Sequence, residues 1–299
     1  MLSRKIERLF ERLPFLKKVG KKVATSIHQV VLDQGEDARD LADFLHGTWL
    51  GHPLHPVLTD IVVGAWSLGA LFDLAAVVGR SENAEKTADS LTVVGTVAAV
   101  PTALSGLADY STVPNPAAGV GLVHAVVNDA ALTLYLASLN QRRKGERNKG
   151  ILYSTAGLAL LTAGAYLGGH LVYGKKVGVD HSERVSGPTG WTPVLNEKDL
   201  IHHEPTRVEV EGNPVVLYRH DGIVQAIGAV CPHAGAPLEE GTVTGTYLQC
   251  PWHDSVFDIS DGCVVHGPAT FPVASYEARI REGRVEVRLA GKQGSGHQH

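Results

Sequence analysis

The chain has 299 residues, of which 44% are hydrophobic and 19% charged, with a formal net charge of −4 and a mean hydropathy of +0.01. That charge balance excludes a basic nucleic-acid binder, and three cysteines exclude a disulfide framework and suit a reducing compartment. The averages describe an ordinary soluble protein, yet they conceal a strongly apolar middle between two polar ends.

In residues 1–45, Leu2, Ile6, Leu9, Phe10 and Leu13 recur at helical spacing against Arg4, Lys5, Arg8, Arg12, Lys17, Lys18, Lys21 and Lys22. This basic amphipathic pattern predicts a helix lying on an anionic membrane surface; a solvated, partly helical tail is the plainer alternative. No compact apolar stretch follows the basic residues, so a secretory signal is not expected. A membrane domain is expected over 46–173, where four apolar runs cover 57–79, 88–108, 119–138 and 151–173. Each is close to the ~20 residues a helix needs to cross a bilayer. None contains Lys or Arg, which favours membrane over a buried soluble bundle. Gly164 and Gly168 form a small-xxx-small pair suited to close helix contact, and Pro101 makes the second run the weakest.

Residues 174–190, with Gly174, Gly178, Gly187 and Pro188, read as a linker. Short β-type runs follow at 206–210, 215–219, 223–227, 247–249 and 284–289, separated by Gly turns such as Asp221-Gly222, Asp261-Gly262 and Glu282-Gly283. They predict a small antiparallel domain over 191–290, with 291–299 a disordered tail.

Within that domain Cys231-Pro-His233 and Cys250-Pro-Trp-His253 form a C-x-H…C-x-x-H pattern. Two thiolates and two imidazoles in matched Pro/Gly turns suit one mixed-ligand 2Fe-2S centre, with both sulfurs on one iron and both nitrogens on the other. Zinc accepts the same donors, but zinc-finger histidines lie three to five residues apart on a helix rather than each beside its own cysteine. The segments CPHAGAPLEEG and CPWHDSVFD resemble the two cluster-binding loops of Rieske proteins, over roughly residues 191–289. Gly235, Pro237, Trp252 and the Ser255/Phe257 pair would surround the centre. With the four apolar runs, the resemblance implies an α+β multidomain chain: an N-terminal four-helix transmembrane bundle followed by an all-β Rieske (ISP-like) domain.

High-potential Rieske proteins carry a further cysteine in each loop and a tyrosine that bonds a ligating sulfur. Ala236, Trp252 and Phe257 occupy the matching places here. Fewer donors to sulfur lower the potential, toward the bottom of the ~−150 to +300 mV range, as in ferredoxin-type Rieske centres. Ser255 is positioned to donate to a bridging sulfide, and Cys263 is expected to be a free, incidental thiol.

The stretch Gly51-His52-Pro53-Leu54-His55-Pro56, with His124 and His170, resembles a family of bacterial four-helix membrane domains marked by a His-Pro-Leu-His-Pro signature, over about residues 46–180. That resemblance implies no chemistry. In an up-down-up-down bundle, however, His52, His55, His124 and His170 all reach one membrane face, joined there by Asp60 and Asn128. They form a second candidate site, for a metal, a b-type haem or a quinone; capping and interhelical hydrogen bonding are the plainer reading.

The expected function is a membrane-anchored, low-potential carrier of single electrons. A quinol- or haem-linked membrane oxidoreductase and a redox sensor are the alternatives. Its partners would be membrane lipid and a redox protein or quinone that the sequence does not name. A self-contained oxygenase is not expected, because no large domain with a mononuclear iron site follows. Short-loop positive charge puts the Rieske domain outside, whereas the long basic N-terminal segment and a cluster loaded before export put it inside. The reading adopted is a bacterial inner-membrane protein with a cytoplasmic Rieske domain.

Overall fold

The computed structural model describes residues 2–182 and 187–291, with side chains of the first helix from Ile6 onward. The expectation for the 291–299 tail therefore lies outside the described residues beyond Gly291, as does the part of the linker at 183–186. Two compact units are present: a helical unit of Met1–Leu41 with Pro53–Gly178, and a β unit of Ala42–His52 with Val179–His299.

Helices α1 (Leu2–Glu11), α2 (Pro14–Asp33) and α3 (Glu36–His46) occupy the N-terminal segment, where a single amphipathic pattern was read; α3 runs across the division between the units. Pro14 opens α2 at a position where its missing N–H costs nothing. Lys17, Lys18, Lys21 and Lys22 are exposed, in keeping with a basic outer face. The opposite face is packed, not loose. Gly20 and Ala24 are buried, an added Cβ at Gly20 would collide with the Ala118 carbonyl, and Tyr110 Oη donates to the Gly20 carbonyl at 2.9 Å.

Helices α4 (Leu54–Gly79), α5 (Glu82–Ser111), α6 (Ala118–Arg143) and α7 (Arg147–Gly169, prolonged by a π turn at His170–Gly174) are each long and apolar enough to cross a membrane. Ser81 caps α5, accepting from the Ala84 N–H at 3.3 Å, with Glu82 and Glu85 in the favourable first turn. Pro101 lies inside an unbroken α5, so the weakness expected there is not realised. The neighbouring hydroxyls of Thr102 and Ser105 turn back onto the helix, to the carbonyls of Ala98 (2.8 Å) and Thr102 (3.0 Å), so the polar side chains beside the proline stay paired within the apolar helix. Outward-facing Ile61, Leu71, Val78, Val97, Leu136 and Leu152 are exposed, as lipid-facing positions are; Val62, Trp66, Ala99, Ala131, Tyr135 and Leu161 form the core.

The β unit has two antiparallel sheets. Strands β1 (Thr192–Asn196), β2 (Thr206–Val210), β3 (Asn213–His220), β4 (Ile223–Gly228), β9 (Ser275–Arg281) and β10 (Arg284–Leu289) build one in the order β1-β10-β9-β4-β3-β2. Strands β5 (Thr242–Thr244), β6 (Tyr247–Gln249), β7 (Val256–Asp258) and β8 (Val264–His266) build the other, in chain order. Tight hairpins at Glu211-Gly212, Asp221-Gly222 and Glu282-Gly283 place both central residues at positive φ, the turn whose twist matches that of the flanking strands. Alternate residues of β3 feed two cores: Val215 and Leu217 one, Val216 and Tyr218 the other. The second core also holds Leu238, Leu248, Phe257 and both Cys231 and Cys250.

Candidate metal centre

Two loops of the β unit carry the motif residues. One joins β4 to β5 and the other joins β6 to β7, and both close in the same way. The Cys231 N–H donates to the Ala236 carbonyl at 2.9 Å, and the Cys250 N–H to the Ser255 carbonyl at 2.7 Å. Gly235 sits at φ +80°, a left-handed conformation in which a side chain would be strained, and its N–H returns to the Cys231 carbonyl at 2.9 Å. In the second loop Asp254 takes the left-handed position at φ +63° and is tied to Gln249 Nε2 at 2.6 Å.

This folding brings the four expected donors together. Cys231 and Cys250 are 1% and 2% exposed, whereas His233 and His253 are half-buried, with ring centres 4.9 Å apart and edge to face at 87°. The Cys231 thiol donates to Cys250, which draws the Cys250 thiol down to about 7 and drives Cys231 well above the usual thiol range, reinforced by burial. Backbone N–H groups of His233 and Ala234 point at the Cys231 sulfur, and those of Trp252 and His253 at the Cys250 sulfur. Among the described residues, no three of these four donors have ligand atoms within 4.8 Å of one another. The thiols pair with each other and the imidazoles with each other, an arrangement that suits a two-iron centre with sulfur on one iron and nitrogen on the other.

The surrounding residues take distinct places. Phe257 and Ala236 are fully buried and offer neither hydroxyl nor thiol to the centre. Ser255 is fully buried too, and its Oγ accepts from the Ala269 N–H at 3.0 Å, leaving its own hydrogen to donate. Pro237 pairs with Val230 across the base of the first loop. Trp252 is 53% exposed, so it lies on the surface beside His253 rather than packing over the centre. Cys263 is exposed in its turn, with its N–H on Asp261 Oδ1 at 2.8 Å; partial burial and the Asp261 carboxylate push its thiol up to about 11.

The motifs gave no hint of the brace from residues 42–52. Asp43 Oδ1 accepts from the Gly267 N–H at 2.8 Å and Oδ2 lies 2.8 Å from His266 Nδ1, across 223 residues of sequence in the latter case. A Cβ at Gly267 would press on Asp43 and Thr48, so only glycine lets the segment approach. His52 is part of the same unit, 6.4 Å from Phe271 between ring centres.

The expected four-histidine cluster is therefore divided. In the helical unit His55 and His124 meet, ring centres 6.3 Å apart, with Nδ1 of His55 2.9 Å from the Thr102 carbonyl and Nδ1 of His124 2.9 Å from the Gly164 carbonyl. His170 turns to α1, where its Nε2 lies 2.9 Å from Glu7 Oε1 as an ion-pair contact rather than an aligned hydrogen bond; Lys175 reaches Glu7 Oε2 at 2.7 Å. Asn128 joins His124, while Asp60 is exposed. A second polar group was not foreseen. Arg142 forks onto Asp73 and also meets Asp89 at 2.6 Å, and Arg147 reaches Asp73 at 2.9 Å and Asp89 at 3.0 Å, so all four long helices contribute.

Known proteins resemble the two parts separately. The Rieske 2Fe-2S domain matches residues 190–277, and the family described as a predicted membrane protein (DUF2231) matches residues 51–181. Apoptosis-inducing factor 3 of Mus musculus is 34% identical over 100 residues, which are 33% of this chain but only 16% of that protein. Ferredoxin CarAc of Metapseudomonas resinovorans is 32% identical over 104 residues, 34% of this chain and 95% of the ferredoxin. The ferredoxin component of the naphthalene 1,2-dioxygenase system of Pseudomonas putida is 28% identical over 100 residues, 33% of this chain and 96% of that protein.

Proposed function

Through its C-terminal third this chain belongs to the Rieske 2Fe-2S ferredoxin family, behind a DUF2231 membrane-protein domain, and from that premise we infer that it is a membrane-anchored carrier of single electrons. Cys231 and Cys250 would hold one iron of the cluster, and His233 and His253 the other. The carrying observation is the loop pair itself: two buried sulfurs under converging backbone N–H groups, with two half-buried imidazoles edge to face beside them. When bound, such a cluster takes up and gives back one electron at a time.

The chain's own residues set the conditions for that exchange. The N–H groups of His233, Ala234, Trp252 and His253 favour negative charge on sulfur, while Leu238, Leu248 and Phe257 keep water from the sulfur end. His233 and His253 form the accessible edge, with exposed Trp252 next to it as the apolar contact for a redox partner. Ala236 and Phe257 withhold the extra thiol and hydroxyl of high-potential centres, which supports a ferredoxin-like, low potential. The four long apolar helices support anchoring in a bacterial inner membrane. A free, exposed Cys263 supports a β unit that faces the reducing cytoplasm.

The test is spectroscopic. Full-length protein in detergent should contain acid-labile sulfide with at least an equal amount of iron, and on reduction give the EPR signal of a mixed His/Cys 2Fe-2S centre. A protein that binds zinc alone would overturn the reading.

A further inference from the structure

The spanning helices repeat each other. His55, Asp60, Trp66 and Asp73 on α4 have the spacing of His124, Asp129, Tyr135 and Arg142 on α6, each pair being 69 residues apart. Gly95, Thr102 and Gly106 on α5 likewise have the spacing of Gly157, Gly164 and Gly168 on α7. The contacts repeat with the residues. A Cβ at Gly95 would strike Trp66, and one at Gly157 would strike Tyr135; Gly106 abuts His55, and Gly168 abuts His124. Each histidine bonds the equivalent carbonyl of its partner helix, at 2.9 Å in both cases. The helical unit is one hairpin used twice. Since α4 and α6 are alternate helices of the bundle, the copies are related by a pseudo-twofold axis along it.

Equivalent residues of two such copies can touch each other only at the axis. Three pairs do so. Asp73 and Arg142 form an ion pair, Trp66 and Tyr135 stack with ring centres 3.7 Å apart, and His55 faces His124. At the first two levels the copies have diverged into groups that satisfy each other directly. At the third, both copies keep histidine.

That identity has a chemical consequence. A carbonyl oxygen only accepts, so the nitrogen bonded to it in each ring must carry the hydrogen, and Nε2 is left as a lone pair. Two lone pairs do not bind each other. Asn128 answers this only in part: one amide hydrogen goes to the His124 carbonyl at 2.8 Å and the other can reach the His124 ring, with Nδ2 at a long 3.3 and 3.4 Å from its two nitrogens, whereas among the described residues no such donor serves His55 Nε2. Two imidazoles joined through one ion by ~2.0–2.1 Å bonds have ring centres up to about 6.3 Å apart. The separation here is 6.3 Å. Anchoring the second ring nitrogen on a carbonyl is also how metal-binding histidines are oriented.

We propose that His55 and His124 together bind one transition-metal centre on the pseudo-twofold axis, through Nε2 of each, either as a bare ion or as the iron of a haem. The site is separate from the cluster and is counted separately. Full-length protein purified from membranes is analysed for iron, copper, zinc and nickel, for acid-labile sulfide, and for haem as its pyridine complex. The expected result is about one metal per chain beyond the cluster iron, lost in both His55→Ala and His124→Ala and retained in His170→Ala, with the cluster EPR signal unchanged throughout. A haem spectrum that vanishes in the two variants assigns the metal to haem; copper, zinc or nickel without haem assigns a bare ion. Wild-type protein with no such metal or haem, after incubation with Cu2+, Zn2+ and haemin in turn, overturns the proposal and needs no variant. So does a metal that survives both substitutions.

Discussion

The β unit and the helical unit place their polar groups in opposite ways. In the β unit the donors stand on two loops, where a few consecutive residues fix the geometry: each cysteine N–H closes onto a carbonyl five positions later, and the histidine follows within the turn. In the helical unit the polar residues stand on four different helices, and only the register between helices brings them together. A loop site thus depends on local closure and tolerates a change elsewhere. A site between helices fails when any one helix shifts.

The largest effect expected is on the loops. Cys231→Ser or His253→Cys should abolish the mixed His/Cys EPR signal completely while leaving the helical content in detergent unchanged, as measured by far-ultraviolet circular dichroism. If either variant kept the native signal, the ligand set would be wrong. Next comes the helical counterpart. Asp73 is 5% exposed and faces Arg142, which is 4% exposed, so Asp73→Ala leaves a buried guanidinium with Asp89 as its one carboxylate partner beside the hydroxyls of Ser138 and Ser154, and should cost about 3–5 kcal/mol. A thermal melt of the helical signal should show the loss, with the cluster signal intact at low temperature. A shift no larger than that of a surface substitution would mean that Arg147 and Asp89 hold the helices without Asp73.

A smaller effect is expected at the brace. Asp43→Ala removes the acceptor for the Gly267 N–H and the partner of His266, and an orphaned, partly buried donor costs about 1–3 kcal/mol. The cluster's visible circular dichroism should melt earlier, by an amount well below that of Asp73→Ala in the helical signal. An unchanged melt would show that the Ala269–Ser255 bond alone fixes the segment.

The contrast between the units explains what could be read in advance. The C-x-H…C-x-x-H pattern lies within two short stretches, so donors, loops and family were legible, and strands at 206–210, 247–249 and 284–289 coincide with those observed. Strands β1, β5, β7 and β8 were missed because they are short or carry little alternation, and pairing rather than propensity forms them, whereas β9 alternates Tyr276, Ala278 and Ile280 with charged residues and was legible. The spans were legible from apolar length, but their partners were not. Asp73 and Arg142 look like two charges at the ends of apolar runs until the bundle sets them on one axis. Helix parity groups the histidines by height, and height leaves their direction open: His55 and His124 turn inward, His170 turns to Glu7, and His52 belongs to the β unit. Asp43 carries no local signal at all, since its partners lie more than two hundred residues away.

The smallest effect belongs to the contact between α1 and the end of α7. The Lys175 ammonium beside Glu7 holds that carboxyl below its ordinary value, with partial burial opposing and His170 adding to the depression. A depressed carboxylate contributes stability that is present above its unfolded value, about 4.3, and is lost as the pH falls through that value toward the lower folded one. Glu7 and Lys175 are 36% and 21% exposed, so solvent screens the pair and its contribution should stay below about 1 kcal/mol. Melts of the wild type and of Glu7→Gln should therefore differ slightly at pH 7, converge between about pH 5 and 3, and differ less in high salt. A gap that widened on acidification would reverse the sign and mean that Glu7 is destabilising as a carboxylate, with α1 seated by its apolar face alone.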